Sequence, residues 1–304
     1  MRRGMSQSVF AVIGMTGHVG GAVAQTLLAE KRHVRAVMRD ATRGLPWAVR
    51  GCERALADLN DAASLASAFN GAEGVFVMLP PFFDPSPGFP EARAMIAALR
   101  SALLAARPGK VVCLSTVGAQ VKRQNLLTQL SILEQELGDL PIPVTFLRPA
   151  WFMENFAWDI KAARQGLVPS FLQPLDKAIP MVATEDVGRV AAELLQANLS
   201  ARRVVELEGP RRVAPIDVAS NFAQILGHPV RVEAVPRESW ESLFRSQGMK
   251  NPEPRMQMLD GFNGGWINFE GGETGPLKGK SELRIVLKGL VERAAPAATP
   301  LAAQ

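Results

Sequence analysis

A glycine-spaced turn lies between an apolar run and a helix-forming stretch near the start of the chain, and it restricts the fold more than any other feature. The run is Val9-Phe10-Ala11-Val12-Ile13, the turn is Gly14-Met15-Thr16-Gly17-His18-Val19-Gly20, and an Ala/Leu-rich stretch follows from Ala22 to Glu30. A strand, turn and helix in that order bring bare main chain and first-turn N–H groups to one point, where the helix dipole favours an anion. Small residues let a pyrophosphate approach the backbone. Gly-x-x-Gly-x-x-Gly alone also describes an ordinary strand-to-helix turn, and its place directly after a buried-strand pattern is what points to a dinucleotide.

The second strand bears on which dinucleotide. Val34-Arg35-Ala36-Val37-Met38 ends at Arg39, with Arg43 close behind, where an NAD site would carry a carboxylate for the ribose. A guanidinium binds a 2′-phosphate bidentately and a carboxylate repels it, so the pattern predicts NADP(H) in preference to NAD(H). Asp40 supplies the opposing reading if the turn is shifted by one residue. A solvated basic loop is the plain alternative for both arginines.

After this unit, apolar runs alternate with helical patterns: Arg54 to Leu59 then Ala62 to Phe69, Gly74 to Leu79 then Pro90 to Arg107, Lys110 to Leu114 then Gln124 to Leu137, and Val144 to Leu147. Strands such as Val75-Phe76-Val77-Met78-Leu79 are apolar throughout, as burial on both faces requires. The expectation is an α/β doubly wound parallel sheet with a smaller mixed α/β C-terminal lobe for substrate. Residues 7–155 form the dinucleotide-binding domain, with 179–208 returning to it. Residues 156–178 and 209–293 form the lobe, and 294–304 are an Ala/Pro-rich tail expected to be disordered. Within the returning segment a helix is expected from Thr184 to Leu195, capped by Thr184.

Composition narrows the classes. The 304 residues are 47% hydrophobic and carry a net charge of +5, with basic residues scattered too widely for a nucleic-acid stripe. No uninterrupted apolar stretch reaches the ~18 residues of a spanning helix, and Met1 to Met5 lead into a strand without a signal-peptide pattern, so a cytoplasmic location is expected. Cys52 and Cys113, beside or within predicted strands, read as reduced buried thiols. His18, His33 and His228 are scattered, and no grouping has metal-ligand spacing.

These motifs together resemble the NmrA-like group of atypical short-chain dehydrogenases/reductases, from about Val9 to about Val291. The resemblance rests on the glycine turn, on Ala57-Asp58-Leu59-Asn60-Asp61, on Leu140 to Pro149, and on Ala150-Trp151-Phe152-Met153-Glu154-Asn155. It implies that Gly14, Gly17 and Gly20 carry the phosphates, with Met15, Thr16, His18 and Val19 of the same turn beside them. It also implies that Arg39 and Arg43 meet the 2′-phosphate, Asp58 and Leu59 lie by the adenine, and Leu79 and Pro80 run beside the ribose. Ser115, Thr116, Pro149, Ala150, Trp151 and Phe152 approach the nicotinamide. Ser115 and Thr116 also fit a simple loop or helix cap.

One departure from that group sorts the chemistry. Active short-chain dehydrogenases of the wider group use a Tyr-x-x-x-Lys pair on the helix after the fifth strand, and this chain contains no tyrosine. The two positions fall on Leu126 and Leu130, four residues apart and expected on one helix face with Leu133 and Leu137. Reduction of a ketone produces a strongly basic alkoxide and gains from a positioned acid, whereas a reduced quinone is far less basic. The leading expectation is therefore hydride transfer from NADPH to a flat, electron-poor acceptor such as a quinone, with no catalytic residue assigned. The alternatives are a non-catalytic NADP(H) sensor coupled to a regulatory protein partner, and a phenylpropanoid-type reductase. The residues assigned to the acceptor are Trp151, Phe152, Asn155, Phe156 and Trp266. Trp158, Met256, Met258 and Phe262 either join that wall or serve as core. Glu154 either orients substrate or caps its turn.

Overall fold

The computed structural model describes residues 8–198, 200–271 and 275–294. In chain order the first half runs β1 (Val9–Ile13), α1 (His18–Ala29), β2 (His33–Met38), α2 (Leu45–Val49), β3 (Glu53–Leu56), α3 (Ala62–Phe69), β4 (Ala72–Val77), α4 (Pro90–Ala106), β5 (Lys110–Leu114), α5 (Thr128–Leu137) and β6 (Val144–Pro149). The second half runs β7 (Trp151–Phe152), α6 (Ile160–Arg164), β8 (Leu167–Ser170), β9 (Met181–Val182), α7 (Thr184–Gln196), β10 (Arg203–Glu208), α8 (Pro215–Leu226), β11 (Arg231–Ala234), α9 (Trp240–Ser246), α10 (Glu253–Gly264), β12 (Leu277–Lys278) and α11 (Leu283–Arg293).

Eight strands form one sheet in the order β12-β10-β6-β5-β4-β1-β2-β3, and every pairing in it is parallel. The fold is a Rossmann-like doubly wound α/β sheet. Alternate residues of the central strands β1, β4, β5 and β6 enter opposite cores, which is why β1, β4 and β5 read as apolar runs. Ala11, Ile13, Val75, Val77, Val111 and Phe146 pack with α3, α4 and α5 through Phe69, Leu99 and Leu133. Phe10, Val12, Phe76, Val112 and Leu147 pack with α1 and α7 through Val23, Leu27, Val187 and Ala191. A third core, built around Phe222, Trp240, Phe244, Met256, Leu259 and Leu287, belongs to the C-terminal lobe.

The segment 179–208 supplies α7, packed on α1, and β10, paired with β6. β12 lies within 209–293 and nevertheless extends the main sheet beside β10, through Leu207 opposite Leu277. The proposed tail, apart from Ala294, lies outside the described residues. Both cysteines are free and buried, and desolvation pushes both thiols above their ordinary value.

Two local expectations change. The helix expected from Gln124 begins at Thr128, because the preceding N–H groups bond elsewhere: Leu127 N–H donates to Asn125 Oδ1 at 2.8 Å and Leu126 N–H to Pro254 O at 2.8 Å. Leu126 and Leu130 therefore do not share a helix face. Leu126 is buried in the lobe's core, and Leu130 packs against the sheet's core. Thr184 is also not the cap of α7, where Ala183 holds that position. Glu154 Oε1 instead accepts from Thr184 N–H at 2.9 Å and from the Thr184 hydroxyl at 2.6 Å, which puts a carboxylate at a helix N-terminus.

Candidate functional site

The strand order reverses at β1, which has β2 on one side and β4 on the other, and open α/β sheets bind ligands in the crevice at such a point. The glycine turn emerges there. Gly14 has a φ of +78°, and Gly17 N–H donates to Gly14 O at 2.9 Å to close the turn. A Cβ on Gly20 would stand 2.3 Å from Gly14 O and 2.8 Å from Ile13 O, so only glycine lets α1 sit this close to β1. A Cβ on Gly17 would come no nearer than 3.4 Å to that same oxygen.

Met15 and Val19 turn into the core, so at those two positions only main chain faces the crevice, while Thr16, Gly17 and His18 are exposed. Gly17 is the N-cap of α1 and makes no side-chain cap, which leaves the leading N–H groups of the helix available to an anion. This cradle fits a dinucleotide pyrophosphate.

Arg39 and Arg43 are exposed beyond the end of β2. Asp40 Oδ1 accepts from Thr42 N–H at 2.8 Å, a bond that also holds its carboxyl below the usual range. Its carboxylate is thus engaged in its own turn. Asp58 Oδ1 similarly accepts from Asn60 N–H at 2.8 Å, and Leu59 is partly buried beside it. Leu79 is buried and Pro80 exposed just past β4.

Ser115 and Thr116, at the end of β5, are both buried. The Ser115 hydroxyl donates to Glu134 Oε1 at 2.5 Å and the Thr116 hydroxyl to Val117 O at 3.1 Å, so both hydroxyl protons are committed within the protein. Glu134 also accepts both halves of the Arg148 guanidinium, and Arg148 Nη1 reaches Glu270 Oε2 at 2.7 Å. Burial opposes the charge on Arg148, but Glu134 and Glu270 hold its proton more tightly than in an ordinary arginine.

Pro149 at the end of β6 and Ala150 just past it are buried, and Trp151 and Phe152 are half-buried. The Trp151 ring meets Phe262 of α10 edge-on at 5.1 Å between centroids. Asn155 is half-buried and Phe156 packs against the lobe's core. Trp266 is half-buried beneath Arg123, 4.8 Å from its ring centroid. Met256, Met258 and Phe262 are buried in that same core, whereas Trp158 is 66% exposed.

Sequence reasoning passed over the loop after β4. Asp84 accepts from Lys250 N–H at 2.9 Å and Asn251 N–H at 2.7 Å, fastening this loop to the turn before α10. It displays Phe82 and Phe83, and Phe83 meets Trp158 edge-on at 5.8 Å. The available signal was Phe82-Phe83 in a strand C-terminal loop, where scaffolds of this kind carry function. The ion pair was also missed, although a glutamate in an apolar helix face and an arginine in a buried strand each require a partner.

Among the described residues no helix is long and apolar enough to cross a membrane. The model of the NmrA-like family matches residues 6–261. The NAD(P)H azoreductase of Xenophilus azovorans is 26% identical over 240 residues, covering 78% of this chain and 81% of that protein. Quinone oxidoreductase 2 of Escherichia coli (strain K12) is 24% identical over 254 residues, covering 83% of this chain and 85% of that one. The fold is shared with Citrobacter sp. triphenylmethane reductase complexed with NADP(H), at a TM-score of 0.73, 20% identity, and coverage of 95% of this chain and 100% of that one.

Proposed function

The chain belongs to the NmrA-like family, and we propose that it is an NADPH-dependent oxidoreductase acting on a flat, electron-poor acceptor such as a quinone. The observation that carries this reading is the exposed turn Thr16–Gly17–His18, which leads into an uncapped helix at the point where the strand order reverses. Gly14, Thr16, Gly17 and His18 would hold the pyrophosphate. Arg39 and Arg43, both exposed beyond the end of β2, would hold a 2′-phosphate. A reduced nicotinamide, when bound, supplies hydride.

Leu126 stands where relatives of the wider dehydrogenase group carry a tyrosine, and the hydroxyls of Ser115 and Thr116 are spent on Glu134 and on main chain. The site therefore offers apolar walls and positioning in place of an acid. A quinone suits it: two electrons arrive with the hydride, the charge left on oxygen is delocalised, and water supplies the proton. Two relatives of this chain are named as an azoreductase and a quinone oxidoreductase, and azo compounds and quinones are both flat and conjugated.

The test is NADPH oxidation by purified protein against a panel of quinones and simple ketones. Turnover with quinones and none with ketones is the expected result. Binding of NADPH without turnover of any acceptor would move the chain to redox sensing.

A further inference from the structure

Among the described residues, the arginines that are not exposed are Arg35, Arg100, Arg148, Arg189 and Arg255. The first four each pair with a carboxylate, from Glu53, Asp139, Glu134 and Asp186 respectively. Arg255 pairs with none of the described carboxylates. Its guanidinium lies 4.4 Å from the centroid of the Phe244 ring, and its Nη1 is 3.7 Å from Met249 Sδ. A π-face and a thioether are weak partners for a charge, and burial lowers the proton affinity of the group. A half-buried cation with donors to spare is unfavourable until an anion or water completes it.

The place of Arg255 makes this informative. It is seven residues before Phe262 on α10, so the two share a helix face, and Phe262 packs on Trp151. Its neighbour Pro254 accepts the main-chain bond from Leu126, which stands at the position of the missing acid. Asp84 fastens the loop of Phe82 and Phe83 to the turn just before α10. Phe82, Phe83 and Trp158 are 38%, 42% and 66% exposed, and Phe83 and Trp158 meet edge-on.

We propose that Arg255 is the anion-recognition group of the acceptor site, and that the acceptor is a flat aromatic molecule bearing a carboxylate or sulfonate. This rests on the reductase reading and adds the charge of the substrate to it. Phe83 and Trp158 receive the ring, and the planar guanidinium takes two oxygens of the acid group. Arg39 and Arg43, at the end of β2, serve the cofactor at a different strand end.

The test compares naphthoquinone with naphthoquinone sulfonate as acceptors for NADPH oxidation. The wild-type protein is expected to prefer the sulfonate in kcat/KM. Arg255→Gln should reduce the sulfonate-to-neutral ratio about 10- to 100-fold, with part of the ratio restored in Arg255→Lys. An equal response of the two acceptors to Arg255→Gln, or no wild-type preference, overturns the proposal. Calorimetric titration with naphthalene sulfonate, which cannot be reduced, reads the site without turnover. Binding that is saturable in wild type and lost in Arg255→Gln supports the proposal even if neither quinone reacts, an outcome that would refute the reductase reading alone. Absence of that binding in wild type refutes the anion site.

Discussion

Arg148 and Glu134 meet through two hydrogen bonds, Nε to Oε1 at 2.8 Å and Nη2 to Oε2 at 2.7 Å, with both residues 4% exposed. The pair joins β6 to α5, and the free end of the same guanidinium reaches Glu270, so one side chain ties the sheet to the C-terminal lobe. Glu134→Ala would remove the acceptor of two buried guanidinium donors and of the Ser115 hydroxyl, leaving Arg148 only its pairing with Glu270 and Glu206, and is expected to lower stability by about 3–5 kcal/mol. Glu134→Leu combined with Arg148→Leu should recover part of that loss, because the buried guanidinium goes with its carboxylate, while Glu206 keeps its bonds to the main-chain N–H groups of Glu270 and Gly271. Urea unfolding of the two variants, compared at fixed pH, checks both expectations.

Two glycines of the phosphate turn should fail differently. Gly20→Ala forces a methyl to within 2.3 Å of Gly14 O and is expected to cost about 1–3 kcal/mol of stability. Gly17→Ala meets nothing closer than 3.4 Å, so it should unfold close to the wild-type midpoint while binding NADPH more weakly. Thermal unfolding and an NADPH titration of each variant separate a packing role from a binding role.

Arg39→Asp should weaken NADPH binding by about 2–3 kcal/mol and leave NADH binding little altered, since only NADPH carries the 2′-phosphate. The comparison is a pair of calorimetric titrations on wild type and variant. Equal weakening of the two coenzymes would remove Arg39 from the phosphate site.

Asp159 gives the molecule a pH dependence. Burial pushes its carboxyl up from 3.8 to about 6, so the folded protein holds this proton more tightly than the unfolded chain does. Between those two values stability falls as pH rises, and well above pH 6 the whole contribution is lost. Asp159→Asn should therefore raise stability by up to about 3 kcal/mol well above pH 6 and change little well below pH 3.8. Denaturation midpoints measured across that range show whether the two curves converge at low pH.

The parts of the fold legible in the sequence are those set by local pattern. Ala62–Phe69 and Lys110–Leu114 appear with the bounds expected, because a buried parallel strand is an unbroken apolar run and the helix opens on the Asp61 carboxylate as its N-cap. The glycine turn was legible for the same reason. The early start assigned to α5 failed because Leu126 gives its N–H to Pro254, a partner far along the chain that no local spacing reveals. The cap of α7 was misassigned because Glu154, from another element, supplies the acceptor that Thr184 was expected to be. The partner of the Ser115 hydroxyl was not legible, because only the packing of α5 against β5 and β6 brings Glu134 near it.

The most direct test of the account is to mix the purified protein, saturated with NADPH, with a simple quinone and follow the absorbance of the reduced nicotinamide in a single turnover. The account predicts rapid loss of that absorbance at a rate nearly independent of pH, since water and not a side chain delivers the proton. Absorbance that persists in a protein shown to bind NADPH, or a rate that follows the titration of a protein acid, would contradict it.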